Sequence, residues 1–313
     1  MPRWLNALLA ATAVSLLAAC GGGDDDPKHI TAAVQDTPQF SVLSEAVTAA
    51  GLEATLRGEG PFTVFAPTND AFTALLGELG ITKDQLLADK ALLTQVLTYH
   101  VVAGEVPKAA VPLGQPITTV QGGLFKVDAV GADLVITDGR NRNAKITATD
   151  VAAANGVIHV VDRVILPANR NIVETAVALA SANPAEFTVL VDAVVAADLA
   201  GALSGSGPFT VFAPTDAAFA ALLGELGVTK AQLLADKDLL TAVLTYHVVP
   251  GRVLKAQVPV GVAITTLQGG SFTVDASLQI TDGRNRRAAI VATDVLATNG
   301  VIHVIDHVIL PSP

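Results

Sequence analysis

One cysteine in 313 residues leaves no internal disulfide to form, so stability must come from packed cores. Charged residues are also scarce, 15% of the chain beside 51% hydrophobic ones, where ordinary soluble domains carry about 25% charge. That balance excludes a disordered, polar low-complexity protein. Positive charge is the scarcer sign: 19 Lys and Arg face 29 Asp and Glu, a net of −10. Arg3 is the only charged residue of positions 1–19, so the remainder carries 18 − 29 = −11. With no basic run, the surface that releases counterions from nucleic acid is missing, and DNA and RNA are set aside as partners. No Gly-x-Ser-x-Gly elbow, phosphate loop, dinucleotide fingerprint or His-Glu-x-x-His occurs, and no cysteine follows Cys20. No catalytic residue and no cofactor is therefore assigned, and a non-enzymatic protein is expected. Carboxylate pairs distant in sequence leave a polysaccharide-active hydrolase as the least favoured alternative.

Long apolar runs are missing as well. About 20 apolar residues span a bilayer, and the run from Leu5 to Ala19, behind Met1-Pro2-Arg3, stops short of that. It reads as an export signal over residues 1–19. Leu17-Ala18-Ala19-Cys20 followed by Gly21 resembles the lipobox of bacterial lipoproteins, which implies cleavage before Cys20, acylation of its thiol and a membrane attachment through lipid alone. Gly21-Gly22-Gly23-Asp24-Asp25-Asp26-Pro27 offers nothing apolar to bury and repels itself. Residues 20–27 are read as a flexible tether with a reach on the order of 15 Å. A residue other than Asp after the cysteine favours, by the same resemblance, the outer membrane or cell surface.

What the chain has in abundance is itself. Residues 60–80 and 207–227 agree at 18 of 21 positions, an offset of 147 that falls to 144 after Asp128/Asp275. A period of that length is a whole domain, so the chain is a tandem duplication with units at 28–167 and 171–311. The intervening Ala168-Asn169-Arg170 is too short for a flexible linker, and the two bodies are expected to touch.

Each unit changes character in the same order. Phe40, Leu43, Val47 and Ala50 recur at helical spacing before Gly51, and Phe62 to Ala66 is a strand stopped by Pro67. Thr68-Asn69-Asp70 caps a helix expected to end at Gly77, and Thr82 to Gln85 and Thr229 to Gln232 have the capping-box form. Asp89 opens a helix with Leu92, Val96 and Tyr99 on one face. The period then switches to two: strands are expected at Phe125 to Val127, Leu134 to Thr137, Ile146 to Thr149 and Val157 to Leu166, with Asp138-Gly139 and Asp282-Gly283 as hairpin turns. Helices first and antiparallel strands later make an α+β fold.

The segments Thr63 to Phe72, Tyr99-His100 and Asn155 to Asp162 with Leu166-Pro167, repeated as Thr210 to Phe219, Tyr246-His247 and Asn299 to Asp306 with Leu310-Pro311, resemble the two signatures and central Tyr-His of the fasciclin family. The resemblance implies two tandem units, each a small β-sandwich or wedge with a helical layer, and an extracellular adhesion role without general catalysis. In animal matrix members of that family, adhesion is associated with the Tyr-His region and a Glu-Pro-Asp-Ile stretch. Tyr99, His100, Tyr246 and His247 match the first. Asp150-Val151 and Asp294-Val295 keep only the acid and aliphatic of the second, which speaks against animal integrins as partners.

Candidate binding residues are therefore Tyr99, His100, Tyr246, His247, Asp150, Asp294 and the turn arginines Arg140 and Arg284. Tyr99 continues an apolar helix face, which favours tyrosines that anchor the core and neutral histidines that cap helix-end carbonyls or bond a buried acid; the alternative is a contact surface at each pair, with His247 the contact rather than Tyr246. Asp138 to Arg142 and Asp282 to Arg287 carry the clearest cationic patch of an acidic chain; solvated turns and guanidinium contacts to an anionic glycan or phosphate are the two readings. No metal is expected: His303 and His307 share a strand face, but Arg163 replaces the latter in the first unit. The expected function is a lipid-anchored cell-surface protein binding glycan, matrix or a partner protein, the alternative being a periplasm-facing structural or accessory protein.

Overall fold

The computed structural model describes residues 28–313. The expected leader (1–19), the lipidation site Cys20 and the tether (20–27) lie outside the described residues. In the first unit, helices Ile30–Gln35, Ser41–Ala50, Asn69–Leu79, Lys83–Ala88 and Lys90–Tyr99 form one layer. Seven strands follow in the order Val101–Ala103, Phe62–Pro67, Gly156–Val161, Asn143–Ala153, Asp133–Thr137, Leu124–Val130 and Pro116–Thr118. The second unit repeats that order. Pairing is antiparallel except where Phe62–Pro67 runs parallel to Gly156–Val161, which joins it only after three α-helices and the other five strands have intervened in the chain.

Local chemistry accounts for the elements. Thr68 accepts the Ala71 N–H, and both capping boxes, Thr82/Gln85 and Thr229/Gln232, are formed. The helix from Asn69 runs through Gly77 to Leu79 and stops at Gly80, which is left-handed at φ 65°. The stop expected at Gly77 is thus corrected by three residues: a helical glycine costs only about 1 kcal/mol, whereas an αL residue ends the ladder. The strand expected from Val157 to Leu166 ends at Val161. Asp162 turns to accept the Lys145 N–H, and Val164, Ile165 and Leu166 are buried outside any ladder.

Alternation along the central strands makes two cores. Val64, Ala66, Ile158 and Val160 pack against the helices, with Leu43, Phe72, Leu93 and Val96. Phe65 and Val161 point the other way, into Phe125, Val127, Ile136 and Ile146. The strand Asn143–Ala153 can serve both because its register shifts twice, between Ile146 and Ala148 and between Ala148 and Val151. Bulges of this kind bend a strand and turn the sheet into a wedge. Strand Arg287–Ala297 shifts at the equivalent places.

The units meet along a polar and apolar seam. Lys126 Nζ lies 2.9 Å from Asp294 Oδ2 and 3.0 Å from Asp128 Oδ2. Asn141 pairs with Leu296 twice, donating from Nδ2 to its carbonyl (3.0 Å) and accepting its N–H at Oδ1 (2.6 Å), as a neighbouring strand would. Leu124 packs on a small cluster of Leu254, Leu296 and Val301.

Candidate binding surface

The Tyr-His pairs sit where the last helical turn crosses between the two cores. Tyr99 and Tyr246 are fully buried, against Phe125 and Phe272 respectively. Tyr99 Oη donates to Leu124 O (2.6 Å) and accepts the Gly139 N–H (2.8 Å); Tyr246 Oη donates to Ser271 O (2.6 Å). Burial raises the pKa of both phenols. His100 Nε2 accepts the Ile165 N–H at 3.0 Å, so the ring proton sits on Nδ1 and is donated to Val96 O at 2.7 Å. His247 does the same between Ile309 and Val243. Both rings are 2% exposed, and burial lowers both to about 4, so they are neutral. The neutral rings cap helix-end carbonyls, as the favoured reading of the pairs has it, and the alternative of a contact at His247 is corrected here. Each histidine closes a helix end and fastens the segment after the last strand, and no ring edge faces a partner.

The cationic turns divide. Asp138, buried and missed as a functional group, organises the first: Oδ1 accepts the N–H groups of Arg140 and Arg142, and Oδ2 accepts Leu166 N–H and the Arg142 guanidinium at 2.8 and 3.0 Å. Asp282 repeats the backbone contacts. Asn141 and Asn285, at φ 62° and 58°, supply the left-handed residues that the Asp-Gly reading assigned to glycine. Gly139 is required for another reason: a Cβ there would lie 2.2 Å from Ala168 N. Arg142 is consumed by Asp138 and Glu78. Arg140, half-buried, reaches only Pro167 O at 3.4 Å through Nε, and its pKa is lowered by burial first and by Arg142 second. Arg284 is exposed.

Asp150 and Asp294 occupy the same left-handed bulge, at φ 60° and 62°. Each accepts a backbone N–H, from Lys108 and Lys255, at 2.7 Å. Asp150 stays exposed, with Val151 beside it. Asp294 is 3% exposed, because Lys126 of the first unit covers it; Asp294 as an open contact is thereby corrected. Burial pulls Lys126 down, but hydrogen bonds and charges from Asp294 and Asp128 outweigh it and hold its pKa above the ordinary lysine value. No group of three His, Cys, Asp or Glu placed to hold a metal ion occurs among the described residues.

The fasciclin domain model matches residues 38–167 and again 185–311. The chain belongs to the fasciclin family. Relatives include "Protein sll1483" of Synechocystis, 51% identical over 128 residues, covering 40% of this chain and 67% of that one. The pig transforming growth factor-beta-induced protein ig-h3 is 30% identical over 258 residues, 82% of this chain. This chain spans only 35% of the length of ig-h3. A solved FAS1 domain pair from the insect cell adhesion molecule fasciclin I aligns at 20% identity and a TM-score of 0.43, covering 90% of this chain and 95% of that one.

In this fasciclin chain the signature residues are structural. Asn155 Nδ2 donates to Leu56 O and Gly58 O while its Oδ1 accepts the Ile30 N–H, pinning the first helix to the sheet; Asn299 does the same for Leu203, Gly205 and Ile172. His159, fully buried and tilted at 44° against Phe65 with ring centroids 5.3 Å apart, accepts the Asp150 N–H and donates to Val106 O. His159 and His303 thus aim the Asp150 and Asp294 bulges. A histidine on a long apolar strand nine residues after each acid was the signal that could have revealed this link.

Proposed function

We propose that this fasciclin chain is a lipid-anchored, non-catalytic binding protein of the cell surface, contacting glycan, matrix or a partner protein through its loops. Fasciclin domains occur in adhesion-related proteins. The observation that carries the reading is that Tyr99, His100, Asn155 and His159 and their counterparts spend their polar groups inside each unit. What remains for a partner is the rim: the exposed Asp150-Val151 bulge, Arg284 and Arg140. Among the described residues no helix is long and apolar enough to cross a membrane, in keeping with attachment through Cys20.

Two measurements on cells test it. Cys20→Ser should move the protein from the membrane to the soluble fraction with an unchanged melting midpoint, and continued tight membrane association would reject the anchor. Cells producing the chain should lose attachment to a glycan and matrix array after protease shaving. Shaving that leaves the protein intact would place it inside the envelope instead.

A further inference from the structure

Where the units meet there is a cleft of about 360 Å³, walled by the Gln121–Leu124 turn and Ala168 of the first unit and by Arg252 and Thr298 of the second. Gly139 and Leu296 also line a neighbouring chamber of about 150 Å³ bordered by Arg140, Asn169 and Arg170. Three arginines therefore border two adjoining chambers, and among the described residues no Asp or Glu does, in a chain of net charge −10.

Two of the three are poorly partnered. Arg252 Nη2 donates to Thr298 O at 3.2 Å, but its Nε–H is buried without any acceptor among the described residues. Burial lowers the pKa of Arg252 and no carboxylate offsets it. Among the described residues Arg140 has only its long contact to Pro167 O. The acids nearest Arg140 are engaged elsewhere, Asp138 by Arg142 and backbone N–H groups, and Glu78 by Arg142 and Arg163. Planar guanidinium forks that are partly desolvated and unpaired are receptors for oxyanions. The walls between them are backbone and small side chains, Gly122, Gly123, Ala168, Ala297 and Thr298, and no aromatic ring borders either chamber. That leaves no stacking platform for a nucleobase and suits an extended, hydroxylated chain. The duplication builds the site only once: the position of Arg252 is Glu105 in the first unit.

We propose that the cleft between the units binds an acidic oligosaccharide, with carboxylates of successive residues on Arg252 and Arg140. The proposal deepens the glycan reading given above and rests on it. The test is titration of the detergent-solubilised full chain with trigalacturonate, with neutral galactotriose and with inorganic phosphate, followed by calorimetry. Trigalacturonate should bind and weaken steeply with salt, and galactotriose should not bind. Arg252→Gln should weaken trigalacturonate at least tenfold. Arg140→Gln should do so severalfold, while Arg57→Gln, at an exposed arginine that borders neither chamber, should bind as the parent does. Melting midpoints of the variants separate lost binding from lost folding, and Arg140→Gln serves if Arg252→Gln fails to fold.

Parental binding in both cleft variants, an equal loss in Arg57→Gln, or phosphate binding as tightly as trigalacturonate would each overturn the proposal. Attachment of cells that survives an Arg252→Gln change abolishing trigalacturonate binding leaves the cleft in place and moves attachment to another surface.

Discussion

Asp150 and Asp294 are the same residue twice. Both sit in a left-handed bulge, both accept a lysine N–H, and both receive a histidine at their own N–H. Only Asp294 is buried, because Lys126 reaches it from the other unit. The conformation is therefore a property of the unit, and the environment a property of the pair. Part of the seam is also where the units differ: Lys126, Leu124, Leu254 and Leu296 stand against Thr273, Ser271, Pro107 and Ala152 at the equivalent positions. Core positions should consequently behave as twins under mutation, and seam positions should not.

The largest effect expected is also the strictest test of twinning. Tyr99→Ala and Tyr246→Ala should each cost roughly 3–5 kcal/mol, as truncation of a buried aromatic does, and denaturant melts should give the two values within about 1 kcal/mol of each other. A mild effect at either one would break the equivalence of the cores.

Acid should act on both units through the same helix-end histidine. His100 and His247 are held near pKa 4 by burial, against about 6.5 when unfolded. Above pH 6.5 neither state is protonated and the native advantage is complete. As pH falls through the window from 6.5 to 4, the unfolded chain takes up protons that the native rings refuse, and stability drops by about 2 kcal/mol per histidine at pH 5. His100→Gln and His247→Gln, compared by melting at pH 7 and pH 5, should each remove about 2 kcal/mol of the pH dependence over that window, with His303, which burial also lowers, contributing beside them.

The seam should break the symmetry. Asp294→Ala strands Lys126 beside Asp128 alone and should cost about 2–3 kcal/mol, below the 3–5 usual for a broken buried pair because one acid remains. Asp150→Ala, at an exposed site, should cost under about 1 kcal/mol. Smaller still is the contrast between Asn141→Ala and Asn285→Ala. Each loses the tolerance of Asn for a left-handed backbone, but only Asn141 loses two bonds to Leu296, so it should be worse by about 1 kcal/mol. Equal costs at either pair of sites would mean that the seam contributes nothing.

Much of this architecture is legible in the sequence. Capping boxes, a Pro-ended strand and a repeat offset carry local or self-referential signals, and the apolar spacing that includes Tyr99 places it correctly in the core. Gly77 misleads because glycine breaks a helix weakly and ends it only when left-handed, which Gly80 is. Leu166 misleads because an apolar run continues past the strand when its N–H groups are claimed by His100 and Asp138. The burial of His247 depends on contacts 62 residues away, and that of Asp294 on a residue 168 positions away; no local period records either. Arg252 is a single charge in a loop, yet aligning the repeats sets it against Glu105, a charge reversal that marks it.

The unequal seam is tested most directly by a double-mutant cycle on Lys126→Thr, the residue of the other unit, and Asp294→Asn, read by calorimetric unfolding of the whole chain. A coupling of at least about 1 kcal/mol is expected between these two sites, with none between Lys126→Thr and Asp150→Asn. Strictly additive effects of Lys126→Thr and Asp294→Asn would contradict it.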